Sequence, residues 1–426
     1  MPNFSLPDSV FEQAAGCFPT PFHLYDENGI RERAREIRAA FAWCPDFMEY
    51  FAVKALPNPA ILRILKEEGC GLDCSSATEL MLADACGFRG GEIILSANAM
   101  PPEEFEQARR LGAFINLDDL SDVALLKEHG GFPPCVCLRF NPGGEFSIGN
   151  TIMGNPGEAK YGMTRTQLGE ALELLKREGV TSFGLHAFLA SNTTDPSYFP
   201  GLSELLLALG KELEKEHGMT FDFVDLSGGV SIPYRPEQES VDIRQVGEGV
   251  RRAYEKAVGD PSDPSVRQVA VKTELGRWMT GPFGWLVTRA VHEKKIYRDY
   301  IGVDACAVNL MRPAMYGAYH HITVCGKRDW PEDHVYDVTG SLCENNDKFA
   351  IQRPLPEICL GDLLVIHDTG AHGFAMGYNY NGRLRSAEIL YTREGDYRMI
   401  RRAETAKDYF ATLDIDPAVK SLCAGK

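Results

Sequence analysis

The 426-residue sequence is short of positive charge, with 44 Lys and Arg residues against 60 Asp and Glu residues. The formal net charge is −16 and the pI is about 5.2, so we expect no general affinity for nucleic acid. Twelve cysteines are present, but no two of them form a C-x-x-C pair. No His or Cys spacing resembles a zinc site, and we therefore predict no bound metal.

Long apolar runs are also missing. The longest strongly apolar helical run, LLLAL at 205–209, is far too short to span a bilayer. The N-terminal stretch MPNFSLPDSVFEQ has neither a basic region nor an apolar core, so we expect no signal peptide. We predict a cytoplasmic protein with reduced thiols and no membrane partner.

From residue 48 onward, short β-type runs alternate with helical patterns. The eight predicted strands are MEYFAVKA, GLDCSS, EIILSA, AFINLDD, VCLRFNP, SFGLHAFLAS, FDFVDLSGG and VAVKTELGR. Helical stretches such as PAILRILKEEG and TQLGEALELLKREG lie between most of them, with apolar residues at helical spacing. Eight such alternations predict a closed (β/α)8 barrel. An open doubly wound sheet is the alternative.

After Arg277 the pattern changes to strand-like runs without long helices. These runs are GWLVTRAVHEKK, HITVCG, HVYDVTG, DLLVIHD, SAEILYT and YRMIRRA. The early stretch PTPFHLYD is also strand-like and could pair into the same domain. We therefore predict a barrel domain over 27–284 and a mostly-β domain formed by 1–26 together with 285–426.

A lysine stands at the end of the first predicted strand, in EYFAVKALPNP. Lys54 precedes a helix that Asn58 should cap and Pro59 should begin. The carboxyl ends of barrel strands share one face, so Lys54 should meet Gly228–Gly229 and Glu274 there.

These three features suit one cofactor. A desolvated lysine has a lowered pKa and can form a Schiff base with an aldehyde, and adjacent glycines let backbone N–H groups close around a phosphate. A buried carboxylate can keep a pyridine nitrogen protonated. Together they describe pyridoxal phosphate, although each alone also fits a surface lysine, a turn or a salt-bridge partner.

Eight motifs carry a resemblance to a known family. In chain order they are FAVKA, LDCSSATEL, GLHAFLASNTTDPSYF, VDLSGGVSIPY, ELGRWMTGPFGWLVTRAV, RPAMYGAYH, GSLCENND and DTGAHGFAMGYNYNGRLRSAEIL. Over about residues 20–405 the chain resembles the fold-type III pyridoxal-phosphate decarboxylases, and most of all their diaminopimelate branch. That branch converts meso-2,6-diaminopimelate to L-lysine. The resemblance implies an alanine-racemase-like fold, with a (β/α)8 barrel and a C-terminal β domain, and a homodimer with active sites at its interface.

The resemblance also implies roles for individual residues. Lys54 would bind the cofactor covalently, and Glu274 would pair with the pyridine nitrogen. Cys343, reaching in from the partner subunit, would donate a proton after carbon dioxide leaves. The other implied cofactor-binding residues are Asp73, Phe188, Ser191, Gly228, Gly229, Gly276, Arg277 and His372. The implied substrate-binding residues are Arg277, Arg312, Tyr316 and Glu344.

Four positions depart from the family pattern. Phe188 replaces the histidine that stacks on the cofactor ring, and Ser227 stands first in the glycine triplet. Leu275 replaces a proline, and His372 replaces a tyrosine that usually contacts cofactor and substrate. The lysine, glutamate and cysteine that the chemistry needs most are in place.

Charge distinguishes the substrates of this family. The distal end of diaminopimelate is a whole amino acid, which calls for arginine to bind its carboxylate and an acid to bind its ammonium. Arg277, Arg312 and Glu344 supply that set. The alternatives are a decarboxylase of another basic amino acid or of a carboxylated polyamine, a non-catalytic pyridoxal-phosphate-binding regulator, and a racemase on the same fold.

Overall fold

The computed structural model describes residues 6–145 and 156–414. Its internal contacts divide the chain into two units. The barrel unit comprises Arg31–Ile232 and Ser240–Met279, and the β unit comprises residues up to Ile30, Pro233–Glu239 and the chain from Thr280 onward. The domain limits proposed from the sequence, 27–284 for the barrel, stay a prediction, because a division by contacts does not define what folds alone.

The chain begins with elements that precede the barrel strands. Helix α1 covers Asp8–Cys17, strand β1 covers Phe22–Asp26 and helix α2 covers Glu27–Ala40.

Eight parallel strands then form a closed barrel in chain order, and the last strand pairs with the first. They are β2 (Met48–Ala52), β3 (Gly71–Cys74), β4 (Ile93–Ser96), β5 (Phe114–Leu117), β6 (Cys135–Arg139), β7 (Ser182–His186), β8 (Thr220–Asp225) and β9 (Ala270–Thr273). The predicted barrel is confirmed, and the alternative of an open doubly wound sheet is wrong.

Helices connect these strands. They are α3 (Pro59–Glu67), α4 (Ala77–Ala85), α5 (Pro102–Leu111), α6 (Asp122–His129), α7 (Arg165–Arg177), α8 (Tyr198–His217) and α9 (Ile243–Ala257), and α10 (Arg277–Thr280) follows the last barrel strand. Apolar spacing decides which face is buried: in α3 the buried residues are Ile61, Leu62, Ile64 and Leu65.

Helix α3 begins as its sequence predicts. The Asn58 side chain accepts a hydrogen bond from the backbone N–H of Ala60 at 3.0 Å, and Pro59 occupies the first helical position. Proline suits that position because its missing N–H would have no partner within the helix. The cap, four residues after Lys54, therefore fixes where α3 starts.

The β unit is built on a nine-stranded sheet that includes β1. Its other strands are β10 (Gly284–Lys295), β11 (Asp299–Val303), β12 (Ile322–Val324), β13 (His334–Thr339), β14 (Lys348–Leu355), β15 (Leu363–Ile366), β16 (Ala387–Tyr391) and β17 (Tyr397–Arg401). Two short helices, α11 (Arg312–Tyr316) and α12 (Ala406–Tyr409), belong to the same unit.

Strand β1 links the two ends of the chain. It pairs antiparallel with β10 and parallel with β16, as PTPFHLYD had suggested. The Tyr25 hydroxyl donates to Glu388 Oε1 at 2.8 Å, and the Arg401 guanidinium pairs with the other oxygen of Glu388. Glu388 is fully buried, so these two partners satisfy a carboxylate that water does not reach. Across the described residues, no helix is both long and apolar enough to cross a membrane.

Candidate active site

Lys54 lies just beyond the first barrel strand rather than on it. Strand β2 ends at Ala52, and Val53–Ala55 form a single turn of 3-10 helix. From this turn the Lys54 ammonium reaches Asp73 Oδ2, on β3, at 2.9 Å. Half of the Lys54 side chain is exposed, so the amine is accessible at the carboxyl end of the barrel.

The ionisation of Lys54 differs from the expectation of a lowered pKa. Burial opposes the charged amine, but the Asp73 and Glu274 carboxylates outweigh it and raise the pKa of Lys54 above its ordinary value. Asp73 itself is fully buried, and burial raises its pKa to about 7 despite the neighbouring ammonium. Asp73 Oδ1 has no hydrogen-bond partner within the described part of the chain.

Glu274 directly follows β9 and is buried at the centre of this cluster. Its Oε2 accepts a hydrogen bond from the Ser227 hydroxyl at 2.8 Å and lies 3.1 Å from His186 Nε2. Burial alone would raise the pKa of Glu274, but His186, Lys54 and the Ser227 hydroxyl hold it at about 2. Its other oxygen, Oε1, is buried and has no partner among residues 6–145 and 156–414.

Near Glu274, the glycines Gly228, Gly229 and Gly276 each allow a close approach to another segment of the chain. A Cβ added to Gly228 would lie 2.6 Å from the carbonyl oxygen of Glu274, and one added to Gly229 would lie 2.7 Å from that of Ala190. A Cβ on Gly276 would lie 2.8 Å from the Cβ of Ala55. Only glycine fits these approaches, and the resulting cradle of backbone is of the kind that surrounds a phosphate.

The segment after β7 carries two more of the predicted residues. Phe188 is partly buried, and the Arg139 guanidinium lies 5.9 Å from its ring centroid. Arg139 is in turn paired with Asp118 at 3.2 Å. The buried Tyr198 hydroxyl accepts hydrogen bonds from the backbone N–H groups of Leu189 and Ala190, which fixes the chain just before Ser191.

In the β unit, Arg312 is the best-anchored of the predicted substrate-binding residues. It is the first residue of α11, is buried, and donates from Nη1 to the Tyr234 hydroxyl at 2.7 Å. The same nitrogen lies 3.3 Å from His320 Nε2. Asp368 is also buried, with a backbone φ of +60°. Burial raises the pKa of Asp368 to about 7, while Arg312 opposes the rise.

Cys343 and Glu344 lie on an exposed loop of the same unit. The backbone N–H of Cys343 donates to Asn381 Oδ1 at 2.7 Å, and the buried Asp347 carboxylate accepts from the N–H groups of Leu342 and Ala307. Hydrogen bonds from the backbone N–H groups of this loop to side-chain acceptors therefore hold it in place, while Cys343 itself is exposed. Tyr316, the last residue of α11, is 61% exposed.

Two predicted residues remain to be placed. His372 is partly buried in the β unit and has a left-handed backbone, with φ of +57°. Arg277 begins α10 in the barrel unit and is partly buried.

The structure thus joins Lys54, Asp73 and Glu274 through direct contacts and charge, with the glycine cradle beside Glu274. Sequence reasoning missed the groups that support this cluster. The sequence motifs mark Ser227 only as a departure from a glycine pattern, and they do not single out His186. With Asp225, His186 and Glu274 form a buried set whose nearest polar atoms all lie within 4.8 Å of one another. His186 ends β7 and Asp225 ends β8, and this strand-end position, which had pointed to Glu274, was the signal that could have identified them as well.

Comparisons with known proteins agree with this arrangement. Residues 27–281 match the family described as "Pyridoxal-dependent decarboxylase, pyridoxal binding domain". The protein TabA of Pseudomonas amygdali pv. tabaci is 39% identical, over 96% of this chain and 94% of its own. A diaminopimelate decarboxylase of Methanothermobacter thermautotrophicus is 35% identical, over 93% of this chain and 92% of its own. The crystal structure of diaminopimelate decarboxylase from M. jannaschii in complex with L-lysine aligns with a TM-score of 0.86 and 27% identity, covering 96% of this chain and 95% of that one.

Proposed function

Because the chain belongs to the pyridoxal-dependent decarboxylase family, we propose that it removes carbon dioxide from meso-2,6-diaminopimelate to give L-lysine, with pyridoxal 5'-phosphate as its cofactor. The observation that carries the proposal is the buried, unpartnered Oε1 of Glu274. A buried carboxylate oxygen without a donor is costly unless something else supplies one, and the protonated nitrogen of a pyridine ring would do so.

The other residues of the barrel unit fit the same cofactor. Lys54 offers an accessible amine beside Asp73, and the glycine cradle offers backbone N–H groups to a phosphate. When bound, pyridoxal phosphate supplies an aldehyde that condenses with amines and a ring that accepts the electron pair left when a carboxylate departs. Lys54 would hold this group covalently, and Phe188 would offer an aromatic face to its ring.

Glu274 has the central electrostatic role. Its low pKa keeps it ionised, so it can hold a proton on the pyridine nitrogen and keep the ring electron-poor. Asp73 orients the Lys54 amine through the ion pair at 2.9 Å. We propose that Gly228, Gly229, Gly276, Ser191 and Arg277 surround the phosphate, and that His372 adds a contact to the cofactor.

The substrate contacts are proposed from charge. Arg312 presents a buried guanidinium anchored at Nη1, which suits the distal carboxylate of diaminopimelate. Glu344 and Tyr316 are exposed and so accessible to a ligand, with Glu344 suited to the distal ammonium. Arg277 completes the proposed substrate set. We propose that the Cys343 thiol donates a proton to the α-carbon from the partner subunit of a homodimer.

A cytoplasmic location belongs to the same proposal. Eleven cysteines are free in the described part of the chain. Unpaired thiols suit a reducing compartment.

The decisive test is carbon dioxide release from purified protein with added pyridoxal phosphate. Meso-diaminopimelate, lysine and ornithine are assayed in parallel, and we expect release from diaminopimelate alone. Borohydride reduction should fix the cofactor to the peptide that contains Lys54. Equal release from lysine or ornithine, or no release from diaminopimelate by cofactor-loaded protein, would contradict the proposal.

Two variants refine the test. Glu274→Gln should still bind cofactor but lose about 10²–10³ in kcat, because the ring nitrogen no longer faces a charged partner. Glu212→Gln, on an exposed position of α8, makes the same chemical change away from the cluster and should retain full activity. Near-normal turnover in Glu274→Gln would exclude the role proposed for Glu274.

A further inference from the structure

Ser227 occupies a backbone conformation that serine rarely adopts. It follows β8 with only Leu226 between, is buried, and has a φ of +54°. This left-handed region favours glycine, because a Cβ there lies close to the following carbonyl oxygen. A side chain that persists under such strain is over-determined by its surroundings, and its contacts therefore suggest what it does.

The contacts of Ser227 hold it rigidly against Glu274. Its backbone N–H donates to Asp225 Oδ1 at 2.8 Å, and its carbonyl oxygen accepts from the Glu274 N–H at 2.7 Å. Its hydroxyl donates to Glu274 Oε2 at 2.8 Å. Three hydrogen bonds thus fix both the turn and the direction of the hydroxyl.

The Ser227 hydroxyl hydrogen-bonds to only one oxygen of the Glu274 carboxylate, Oε2. His186 Nε2 approaches the same Oε2 at 3.1 Å, so two neighbours converge on this atom. Oε1 keeps no partner in the described residues. Since both contacts are on Oε2, they set the rotation of the carboxylate group and leave Oε1 available to a ligand.

The charged groups around Glu274 explain why a neutral hydrogen-bond donor can stabilise its ionised form. The Glu274 carboxylate raises the pKa of acidic groups on three barrel strands, namely Glu49 on β2, Asp73 on β3 and Asp225 on β8, while burial opposes its own ionisation. Lys54, after β2, and His186, on β7, favour it. Hydrogen bonding to the ionised form stabilises that form without adding a charge to the site.

We propose that Ser227 is a positioning residue, whose hydroxyl keeps the Glu274 carboxylate ionised and rotated so that Oε1 remains available to the ring nitrogen of bound pyridoxal phosphate. This inference rests on the proposed function. It explains why a strained serine occupies the turn between β8 and Gly228, where a glycine would adopt the same backbone conformation without strain.

Two substitutions separate the hydroxyl from the backbone. Ser227→Gly removes the hydroxyl and relieves the left-handed strain, whereas Ser227→Ala removes the hydroxyl and keeps the strain. The titration of Glu274 is followed by infrared difference spectra against Glu274→Gln, in protein without cofactor. Both variants should titrate Glu274 at a pH at least half a unit higher than the parent, a roughly threefold gain in proton affinity.

The cofactor-loaded protein gives an independent measurement. In both variants the pH dependence of the visible absorption band of bound pyridoxal phosphate should shift in the same direction, and kcat should fall more than KM changes. Gln352→Gly is the matched control, because Gln352 is an exposed non-glycine residue with φ of +47° on β14. It should gain stability from the relieved strain and leave the Glu274 titration unchanged.

Two results would overturn the inference. One is an unchanged Glu274 titration in both Ser227 variants. The other is a shift in Ser227→Ala that Ser227→Gly does not show, since the backbone and not the hydroxyl would then be responsible. A parent protein that binds no pyridoxal phosphate would overturn the proposed function instead, and the titration without cofactor would still decide whether Ser227 controls Glu274.

Discussion

Asp73 is a carboxyl group that folding removes from water. Burial raises its pKa from the ordinary 3.8 to about 7, so between these values the folded state binds more protons than the unfolded state. The free energy of unfolding therefore falls as pH rises through this range. Asp73→Asn cannot titrate, and its free energy of unfolding relative to the parent should increase from about pH 4 to about pH 7 and then level off.

Urea unfolding of the parent and Asp73→Asn at several pH values between these limits measures that difference. Asp119→Asn is the control with the opposite sign, because hydrogen bonds from Ser121 lower the pKa of Asp119. Its stability relative to the parent should fall with rising pH only below about pH 4, where Asp119 titrates, and should stay constant between about pH 4 and about pH 7. A difference for Asp73→Asn that stays constant with pH would mean that the carboxyl titrates normally in the folded protein.

The roles of individual residues could be predicted only partly from the sequence. The contact between Ser227 and Glu274 joins positions 47 residues apart, and the one between Lys54 and Asp73 joins positions 19 apart. Strand-end placement indicated that Lys54 and Glu274 share a face. It could not indicate that Ser227 contacts Glu274, because a hydroxyl contact depends on dihedral angles that a strand pattern does not contain.

Helix α3 begins close to the site, since its cap, Asn58, lies four residues after Lys54. Asn58→Ala removes the acceptor for the Ala60 N–H and should lower the free energy of unfolding by about 1 kcal/mol. The turn that carries Lys54 should also lose support, so we expect weaker binding of pyridoxal phosphate, measured by equilibrium titration.

Thr164→Ala is the matched control for this cap. Thr164 caps α7 through the N–H of Gln167, on the exposed surface, and its loss should cost a similar free energy. Cofactor affinity should remain that of the parent. If both variants weaken cofactor binding equally, the effect comes from general destabilisation and not from the turn at Lys54.

Most elements could be predicted, and two strands could not. The apolar runs predicted all eight barrel strands, because strands that are buried on both faces consist mostly of apolar residues. Strand β14 was missed since it lies at one edge of its sheet, where it tolerates charged residues and Pro354. Strand β11 was missed as well; it is five residues long and contains Gly302, which interrupts its apolar pattern.

At the scale of the whole molecule, the central prediction is an active site shared between two subunits. Cys343→Ala should slow productive protonation while leaving the covalent link at Lys54 intact. Mixing Lys54→Ala protein with Cys343→Ala protein should restore activity, because each mixed dimer would hold one intact site and one doubly altered site.

Subunit exchange in that mixture is checked first, by native mass spectrometry of differently tagged chains. If exchange is complete and activity stays at the level of the two parent variants, Cys343 serves the site of its own subunit. A Lys54→Ala mixture with Glu274→Gln is the control. Both altered residues then belong to the same barrel unit, so every mixed dimer contains two damaged sites and no activity should return.

The pairing of β1 has a consequence for how the protein is made. Tyr25 leaves the ribosome early, but Glu388, its hydrogen-bond partner, is 363 positions further along the chain. At ordinary rates of translation the N-terminal strand waits about 20 to 70 s before β16 emerges beside it. During that interval the barrel strands can close before β10, the first partner of Phe22–Asp26, has been made. A nascent chain stalled when β9 but neither β10 nor β16 has left the ribosome should therefore protect the barrel from protease and leave β1 open to cleavage or to chaperones.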